Sequence, residues 1–154
     1  MPMSLHTLRA ETFLPLPRDE VFAFFAAAEN LERITPPELG FEIVTPAPFR
    51  MEEGALIEYR LRLFRISFRW RTIISRWDPP NSFVDEQLSG PYREWIHTHD
   101  FREVEGGTIV TDEVRYRLPF FPLGEIGYPL VALQLGRIFR FRRRRMAEIL
   151  AGGG

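Results

Sequence analysis

The stretch that decides the fold is FVDEQLSGPYREWIHTHDFREVEGGTIVTDEVRYR, residues 83–117. Two segments within it, Trp95–Phe101 and Thr108–Arg117, alternate between apolar and polar residues. Side chains on a strand point to opposite faces with a period of two, so each segment has one inward face. The inward faces carry Trp95, His97, His99 and Phe101 on the first strand and Val110, Asp112, Val114 and Tyr116 on the second. A few polar groups on otherwise apolar inward faces indicate a pocket.

Composition restricts the class of protein. The chain has 154 residues, 45% of them hydrophobic and 14% aromatic, which is typical of a single globular domain covering residues 1–154. The net charge of -1 gives no overall attraction to polyanions, so we expect no nucleic-acid partner. Cysteine is absent, which excludes disulfides and thiolate chemistry.

Targeting signals are not visible in the sequence. Residues Met1–Arg9 lack the apolar segment of a signal peptide. No apolar run approaches the roughly 20 residues that a membrane span needs. The sequence therefore predicts a cytoplasmic protein that is not an integral membrane protein, and it leaves open whether the protein forms a homodimer.

Further strands and helices flank the central stretch. Period-two patterns predict four more strands: His6–Phe13, Phe41–Thr45, Ala55–Phe64 and Ile66–Arg76. Two short helices follow the first strand; one begins at Arg18, and the other, Leu31–Thr35, has Asn30 as its expected N-cap and ends at Pro36. A long helix is predicted from about Ile126 to Leu150, and Gly152–Gly154 reads as a frayed tail.

This order predicts an α+β fold in which a curved antiparallel sheet of about six to seven strands wraps around a long C-terminal helix. An antiparallel sheet with one apolar face needs a cover. The terminal helix supplies it with one apolar side: Val131, Leu135, Ile138, Phe139, Met146 and Ile149. The volume between sheet and helix is either filled by side chains or is a ligand cavity.

Arginines at 137, 140 and 142–145 form the strongest charge run. Such a run could contact an anionic membrane surface or a nucleic-acid backbone. The slightly acidic net charge favours a solvated helix face instead. Arg142 falls near the apolar side of the helix and could reach an acidic group of a ligand.

The chain resembles the helix-grip proteins of the START-like (SRPBCC) superfamily, and in particular bacterial polyketide cyclase/dehydrase-like ligand-binding proteins. The resemblance covers nearly the whole chain. It rests on five segments: Glu29–Pro36, Phe83–Gln87, Gly90–Tyr92, Trp95–His99 and Gly107–Tyr116. It implies the helix-grip fold and an internal hydrophobic cavity, but the superfamily includes both enzymes and carriers, so the fold alone does not decide the function.

His97, His99 and Asp112 are the candidate catalytic residues. A carboxylate beside an imidazole fixes its tautomer and tunes its pKa, which suits general acid/base chemistry. The favoured alternative is a buried hydrogen-bond network that holds adjacent strands in register. A metal site made of the same three residues is a weaker alternative, because no further dependable ligand is evident. We therefore expect no metal and no cofactor.

The leading hypothesis is a protein that binds a small hydrophobic molecule of lipid-like, polyketide-like or aromatic type. Whether the protein also transports this molecule is left open. The expected ligand-binding residues are Tyr59, Trp70, Asp85, Gln87, Trp95, His97, His99, Asp112 and Tyr116. The faces of the Phe83–Gln87 strand are ambiguous, so the inward position of Asp85 and Gln87 is open. Two loops, Pro46–Gly54 and Pro119–Gly124, could gate the cavity or serve as connectors. The alternative function is a cyclase/dehydrase-type enzyme that uses a His/Asp pair.

Overall fold

Seven antiparallel strands form one sheet in the order β1-β7-β6-β5-β4-β3-β2. The computed structural model describes residues 5–46, 50–120 and 122–151. The strands are β1 His6–Leu14, β2 Glu42–Ile43, β3 Leu56–Leu63, β4 Ile66–Asp78, β5 Ser82–Ser89, β6 Glu94–Val104 and β7 Gly107–Arg117. The predicted antiparallel sheet of six to seven strands is confirmed.

Helices lie after β1 and at the end of the chain. The α-helices are α1 Arg18–Ala26, α2 Asn30–Arg33 and α3 Tyr128–Met146, and short 3-10 helices cover Pro37–Leu39 and Leu123–Gly127. The long C-terminal helix and the helix-grip fold are confirmed, although α3 begins two residues later than predicted and passes into a π-helical turn, Ala147–Ala151. Among the described residues, no helix is long and apolar enough to cross a membrane.

The predicted N-cap role of Asn30 is wrong. Asn30 is the first residue of α2, and the helix has no side-chain cap. Its side-chain amide instead donates to the carbonyl oxygen of Phe24 at 2.8 Å and accepts from Nη1 of Arg33 at 3.0 Å. Asn30 therefore ties α2 to the last turn of α1, and the two short helices form one cap over the end of the sheet.

Some strand bounds differ from the predicted ones, because a strand ends where its pairing with the neighbouring strand ends and not where the alternation of apolar and polar residues ends. β2 is reduced to Glu42–Ile43, the pair that faces Arg60 and Tyr59 of β3. β4 extends to Asp78 because Trp77 and Asp78 pair with the first residues of β5. The predicted loops at 46–54 and 119–124 include residues 47–49 and Phe121, and these, like the tail 152–154, lie outside the described residues.

Irregular pairing between β4 and β5 bends the sheet. The register shifts between Arg71 and Thr72 and again between Ile74 and Arg76. Bulges of this kind kink a strand and increase its twist. At the other side of the sheet, a Cβ on Gly107 would collide with the carbonyl oxygen of Leu14, so glycine permits the close approach of β7 to the end of β1. The sheet consequently curves around α3.

Two apolar clusters make up the core. The "α3 cluster" consists of Leu39, Leu61, Leu63, Trp70, Tyr92, Trp95, Val114, Tyr116, Leu118, Leu135, Ile138 and Phe139. The "α1 cluster" consists of Leu14, Val21, Phe22, Phe24, Phe25, Ile34, Phe83, Phe101, Val110 and Met146. Both predicted inward faces are confirmed, since every one of their eight residues is buried.

Candidate ligand cavity

A cavity of about 140 Å³ lies between the curved sheet, α3 and the cap formed by α1 and α2. This volume is enough for roughly ten water molecules. Most of its wall is apolar and comes from both clusters and the cap. The polar side chains in the wall belong to Asn30, Thr35, Tyr59, Trp70, Asp85, Tyr92, Trp95, His97, His99 and Arg142.

Six of the nine expected ligand-binding residues line this cavity: Tyr59, Trp70, Asp85, Trp95, His97 and His99. The other three lie outside its wall. The side-chain amide of Gln87 bonds the backbone N–H and carbonyl of Tyr92. Asp112 lies behind His97, and Tyr116 is buried against Tyr92 and Trp95. A direct ligand contact by Gln87, Asp112 or Tyr116 therefore stays a prediction.

Two histidine–aspartate pairs form the polar centre of the wall. Nε2 of His97 lies 2.8 Å from Oδ1 of Asp112, and Nε2 of His99 lies 2.6 Å from Oδ2 of Asp85. Longer contacts complete a four-residue network: His97 Nδ1 is 3.8 Å from Asp85, and His99 Nδ1 is 3.5 Å from Asp112. Because an ionised carboxylate only accepts hydrogen bonds, the short contacts place a proton on Nε2 of each imidazole.

Strand register explains this arrangement. His99 faces Asp112 directly across β6 and β7, and His97 faces Asp85 across β5 and β6. The short hydrogen bonds run diagonally instead, from His97 to Asp112 and from His99 to Asp85. Diagonal neighbours on adjacent strands are within reach of long side chains. Each imidazole consequently contacts both carboxylates, so the four groups form one connected network.

The two carboxylates stay ionised in this network. Burial alone raises the pKa of Asp85, but attraction to His97 and the hydrogen bond from His99 outweigh it and hold that pKa below its ordinary value. For Asp112, burial also raises the pKa, and the hydrogen bond and charge of His97 more than reverse this. Two negative charges, a buried one on Asp112 and a partly exposed one on Asp85, therefore lie beside the cavity.

His99 is held in its neutral form. Burial and the neighbouring His97 lower the pKa of His99, and its contacts with Asp85 and Asp112 offset this only in part. Its Nδ1 is enclosed and has no hydrogen-bond partner in the described part of the chain. A neutral imidazole with an uncommitted nitrogen can act as a proton acceptor.

Aromatic rings hold the histidines in place. Phe83 stacks on His99 at a centroid distance of 4.1 Å, and His99 stacks on His97 at 3.7 Å. Phe139 of α3 meets the edge of this column, with its ring 5.6 Å from that of His97. The imidazoles are therefore fixed by packing as well as by hydrogen bonds.

Arg142 is the charged residue that α3 contributes to the wall. It is 9% exposed, and it follows Leu135, Ile138 and Phe139 on the buried side of the helix. This position agrees with the expectation that Arg142 lies near the apolar side. Its Nε is enclosed without a hydrogen-bond partner among the described residues.

Sequence reasoning missed several wall residues. Tyr92 follows the turn at Gly90–Pro91. Its place in the wall depends on the hydrogen bonds between its backbone and the side-chain amide of Gln87. Residues of the cap, among them Leu31 and Ile34, close one end of the cavity. The tight turn was visible in the sequence, whereas the packing of α2 against the sheet depends on tertiary contacts.

The residues that could hold a metal ion differ from those expected. Asp85, His97 and His99, not Asp112, offer ligand atoms that all lie within 4.8 Å of one another. Asp112 is committed to His97 on the far side of that imidazole. A metal at this place would have to displace the hydrogen bond between His99 and Asp85, and the positive charge of Arg142 in the same wall opposes it.

The curved sheet gripping a C-terminal helix around a cavity defines a helix-grip protein of the START-like superfamily. Residues 14–150 match the profile of the family described as polyketide cyclase/dehydrase and lipid transport, and the chain belongs to this family. None of the curated proteins matches it significantly.

Several solved structures are similar. The protein TTHA0849 from Thermus thermophilus is 21% identical, with 97% of this chain and 99% of that chain covered and a TM-score of 0.74. Major latex-like protein 151 from Panax ginseng is 12% identical, with coverage of 91% and 96% and a TM-score of 0.61. A nucleoside-diphosphate sugar epimerase from Corynebacterium glutamicum is 27% identical over 92% of this chain but only 28% of its own, with a TM-score of 0.65.

Proposed function

We propose that this protein binds a small, mostly apolar molecule in the cavity between the sheet and α3. The observation that carries the proposal is a largely apolar cavity whose wall includes the polar side chains of Asp85, His97, His99 and Arg142. Binding sites for small molecules combine an apolar lining with a few placed polar groups in this way. Membership of a family described by cyclase/dehydrase activity and lipid transport is consistent with it.

Cavity size restricts the ligand. Room for roughly ten water molecules suits a compound of about ten to twelve non-hydrogen atoms as the cavity stands. A short lipid-like or aromatic compound fits better than a whole two-chain lipid. Tyr59, Trp70 and Trp95 offer flat aromatic surface, and the histidine–aspartate network offers hydrogen bonds to a hydroxyl or carbonyl group.

The test is native mass spectrometry of the purified protein, followed by denaturing extraction of any molecule bound to it. The blocking variant is Ala28→Phe, because Ala28 is buried in the cavity wall. Ala23→Phe is the matched control, since Ala23 is exposed on the neighbouring helix α1. We expect bound small molecules in the wild type and in Ala23→Phe but not in Ala28→Phe. Equal occupancy in all three proteins would contradict binding in this cavity.

A second candidate function is a cyclase/dehydrase-type enzyme that uses His97 or His99 for proton transfer. The neutral His99 with an uncommitted Nδ1, fixed by Asp85, favours it. In a dehydration, such a base takes the proton next to a carbonyl while the β-hydroxyl leaves as water with a proton from an acid. The imidazolium that forms when His99 takes the first proton can serve as this acid and give the same proton to the departing hydroxyl.

Dehydration of a β-hydroxy ketone such as 4-hydroxy-4-phenylbutan-2-one, followed by the absorbance of the enone product, tests this function. We expect His97→Ala and His99→Ala to abolish turnover while binding of the ketone, measured by calorimetry, is retained. Turnover that is equal in both variants and the wild type would exclude the enzyme hypothesis.

A cytoplasmic location, the absence of cofactor and nucleic acid, and the oligomeric state stay predictions.

A further inference from the structure

Among the described residues, none forms a hydrogen bond with the guanidinium of Arg142. Its guanidinium lines the cavity, its Nε is enclosed, and no carboxylate of the described residues lies within ion-pair distance of it. Its guanidinium lies over the ring of Phe139, 4.9 Å from the ring centroid, and attracts the carboxylates of Asp85 and Asp112 from beyond hydrogen-bonding distance. A guanidinium stays charged in proteins, and a buried charge without hydrogen bonds is costly.

The other arginines of the run are satisfied differently. Arg137 is paired with Glu38 and Arg145 with Glu148, and all four of these side chains are at least one-third exposed. Arg140 and Arg143 are exposed to solvent, and so is Arg144, which lies over the ring of Phe141. Arg142 is thus the arginine of this run that faces the interior. Its partner is to be sought in the cavity.

We propose that Arg142 binds the carboxylate of the ligand, so that the protein takes small amphipathic monocarboxylic acids. This inference rests on the proposed function and names its ligand class. The planar guanidinium matches a carboxylate with two parallel hydrogen bonds. The apolar part of the acid then lies against the aromatic and aliphatic wall that surrounds the polar groups.

Charges around the cavity restrict the acid to a single negative charge. The titratable groups that share the wall with Arg142 or adjoin it are Tyr59 of β3, Asp85 of β5, Tyr92 of the turn before β6, His97 and His99 of β6 and Asp112 of β7. The two carboxylates repel a second negative charge on a ligand, which disfavours a phosphate dianion. A carboxylate bound beside His99 favours proton uptake by that imidazole, and this balances the added charge.

Isothermal titration calorimetry with decanoate, 1-decanol and decyl phosphate tests the assignment. The variant is Arg142→Gln, and the matched control is Arg143→Gln, because Arg143 is exposed on the same helix. We expect the wild type and Arg143→Gln to bind decanoate most tightly. We expect Arg142→Gln to lose at least about 10-fold in decanoate affinity and to bind 1-decanol unchanged.

The outcomes separate this inference from the proposed function. Tight binding of 1-decanol without preference for decanoate, or equal losses for both compounds in Arg142→Gln, overturns the role of Arg142 and leaves the cavity as a binding site. Preference for decyl phosphate over decanoate overturns the carboxylate assignment. Failure of all three compounds to bind the wild type counts against the proposed function and, with it, this inference.

Discussion

The α3 cluster and the α1 cluster are both buried, yet they serve different purposes. Nine of the twelve residues of the α3 cluster line the cavity, against four of the ten in the α1 cluster. The α3 cluster also contains the polar-tipped aromatics Trp70, Tyr92, Trp95 and Tyr116, whereas every residue of the α1 cluster is free of polar side-chain atoms. Burial alone therefore does not distinguish a packed core from a binding wall.

The polar network separates the two clusters. Along β6, Trp95 belongs to the α3 cluster and Phe101 to the α1 cluster, and the two histidines lie between them. Along β7, Asp112 likewise lies between Val114 and Val110. One layer of charged and polar groups thus crosses the sheet between two halves of the core. The half formed by the α1 cluster is mostly solid, and the half formed by the α3 cluster is hollow because it surrounds the cavity.

The largest expected effect comes from truncating one phenylalanine in each half. Phe101→Ala removes a ring that is 3% exposed in the α1 cluster, and we expect it to lower the free energy of unfolding by about 3–5 kcal/mol. Phe139→Ala removes a ring that already borders the cavity, so fewer contacts are lost, and we expect about 2 kcal/mol. Urea denaturation of both variants measures the difference.

Equal losses in the two variants would contradict the distinction between a solid and a hollow half. Ligand binding serves as a control, because the variant with the smaller loss of stability should have the larger effect on affinity. Phe139→Ala alters the cavity wall and should change the affinity for decanoate, whereas Phe101→Ala, measured well below its unfolding midpoint, should leave it unchanged.

The next effect concerns the two carboxylates of the layer. Asp112 is 2% exposed and is enclosed behind His97, so we expect Asp112→Ala to cost about 3 kcal/mol of unfolding free energy, as when one partner of a buried ion pair is removed. The side chain of Asp85 is 16% exposed in the cavity wall, so solvent can compensate part of its loss. We expect Asp85→Ala to cost clearly less, and urea denaturation at pH 7 compares the two. The reverse order would show that Asp85 is the structural partner.

Much of this organisation could be predicted from the sequence, because period-two alternation reports faces directly. The inward positions of His97, His99 and Asp112 followed from their strands alone. The pairing partners did not, because a diagonal bond depends on register and rotamer as well as on the face. The strand faces left Asp112 open to either histidine, whereas the structure gives it a short bond to His97 and pairs His99 with Asp85.

Cavity walls were harder to predict than strand faces. The bulges that bend β4 against β5 carry no glycine or proline signal, since Arg71–Arg76 reads as a regular strand. The role of Asn30 also escaped the sequence, because a residue that can cap a helix can equally bond a neighbouring carbonyl. Both features depend on tertiary packing.

The pH dependence of stability is the third expected effect. The pKa of His99 is lowered by folding from its ordinary 6.5, so the unfolded chain binds more protons below that pH and stability falls as the pH drops. Asp85 and Asp112, lowered from 3.8, add a further loss in stronger acid. We expect the free energy of unfolding, measured in urea, to decrease between pH 6.5 and pH 5 and to change less in His99→Gln, in which His6 and His97 remain. An identical slope in both proteins would exclude His99 as the source.

The smallest expected effect concerns a polar group of the cavity wall that is already hydrogen-bonded within the protein. The hydroxyl of Tyr59 donates to Oγ1 of Thr72 at 3.0 Å, and burial raises the pKa of Tyr59, so the phenol stays neutral. Because this tip is already bonded within the protein, we expect Tyr59→Phe to lower the free energy of unfolding by about 1 kcal/mol in urea denaturation. No loss of stability, together with weaker ligand binding, would instead assign the hydroxyl to the ligand. A polar wall of a cavity can therefore contain both committed groups, such as Tyr59, and uncommitted ones, such as Arg142, and only the latter indicate the chemistry of the ligand.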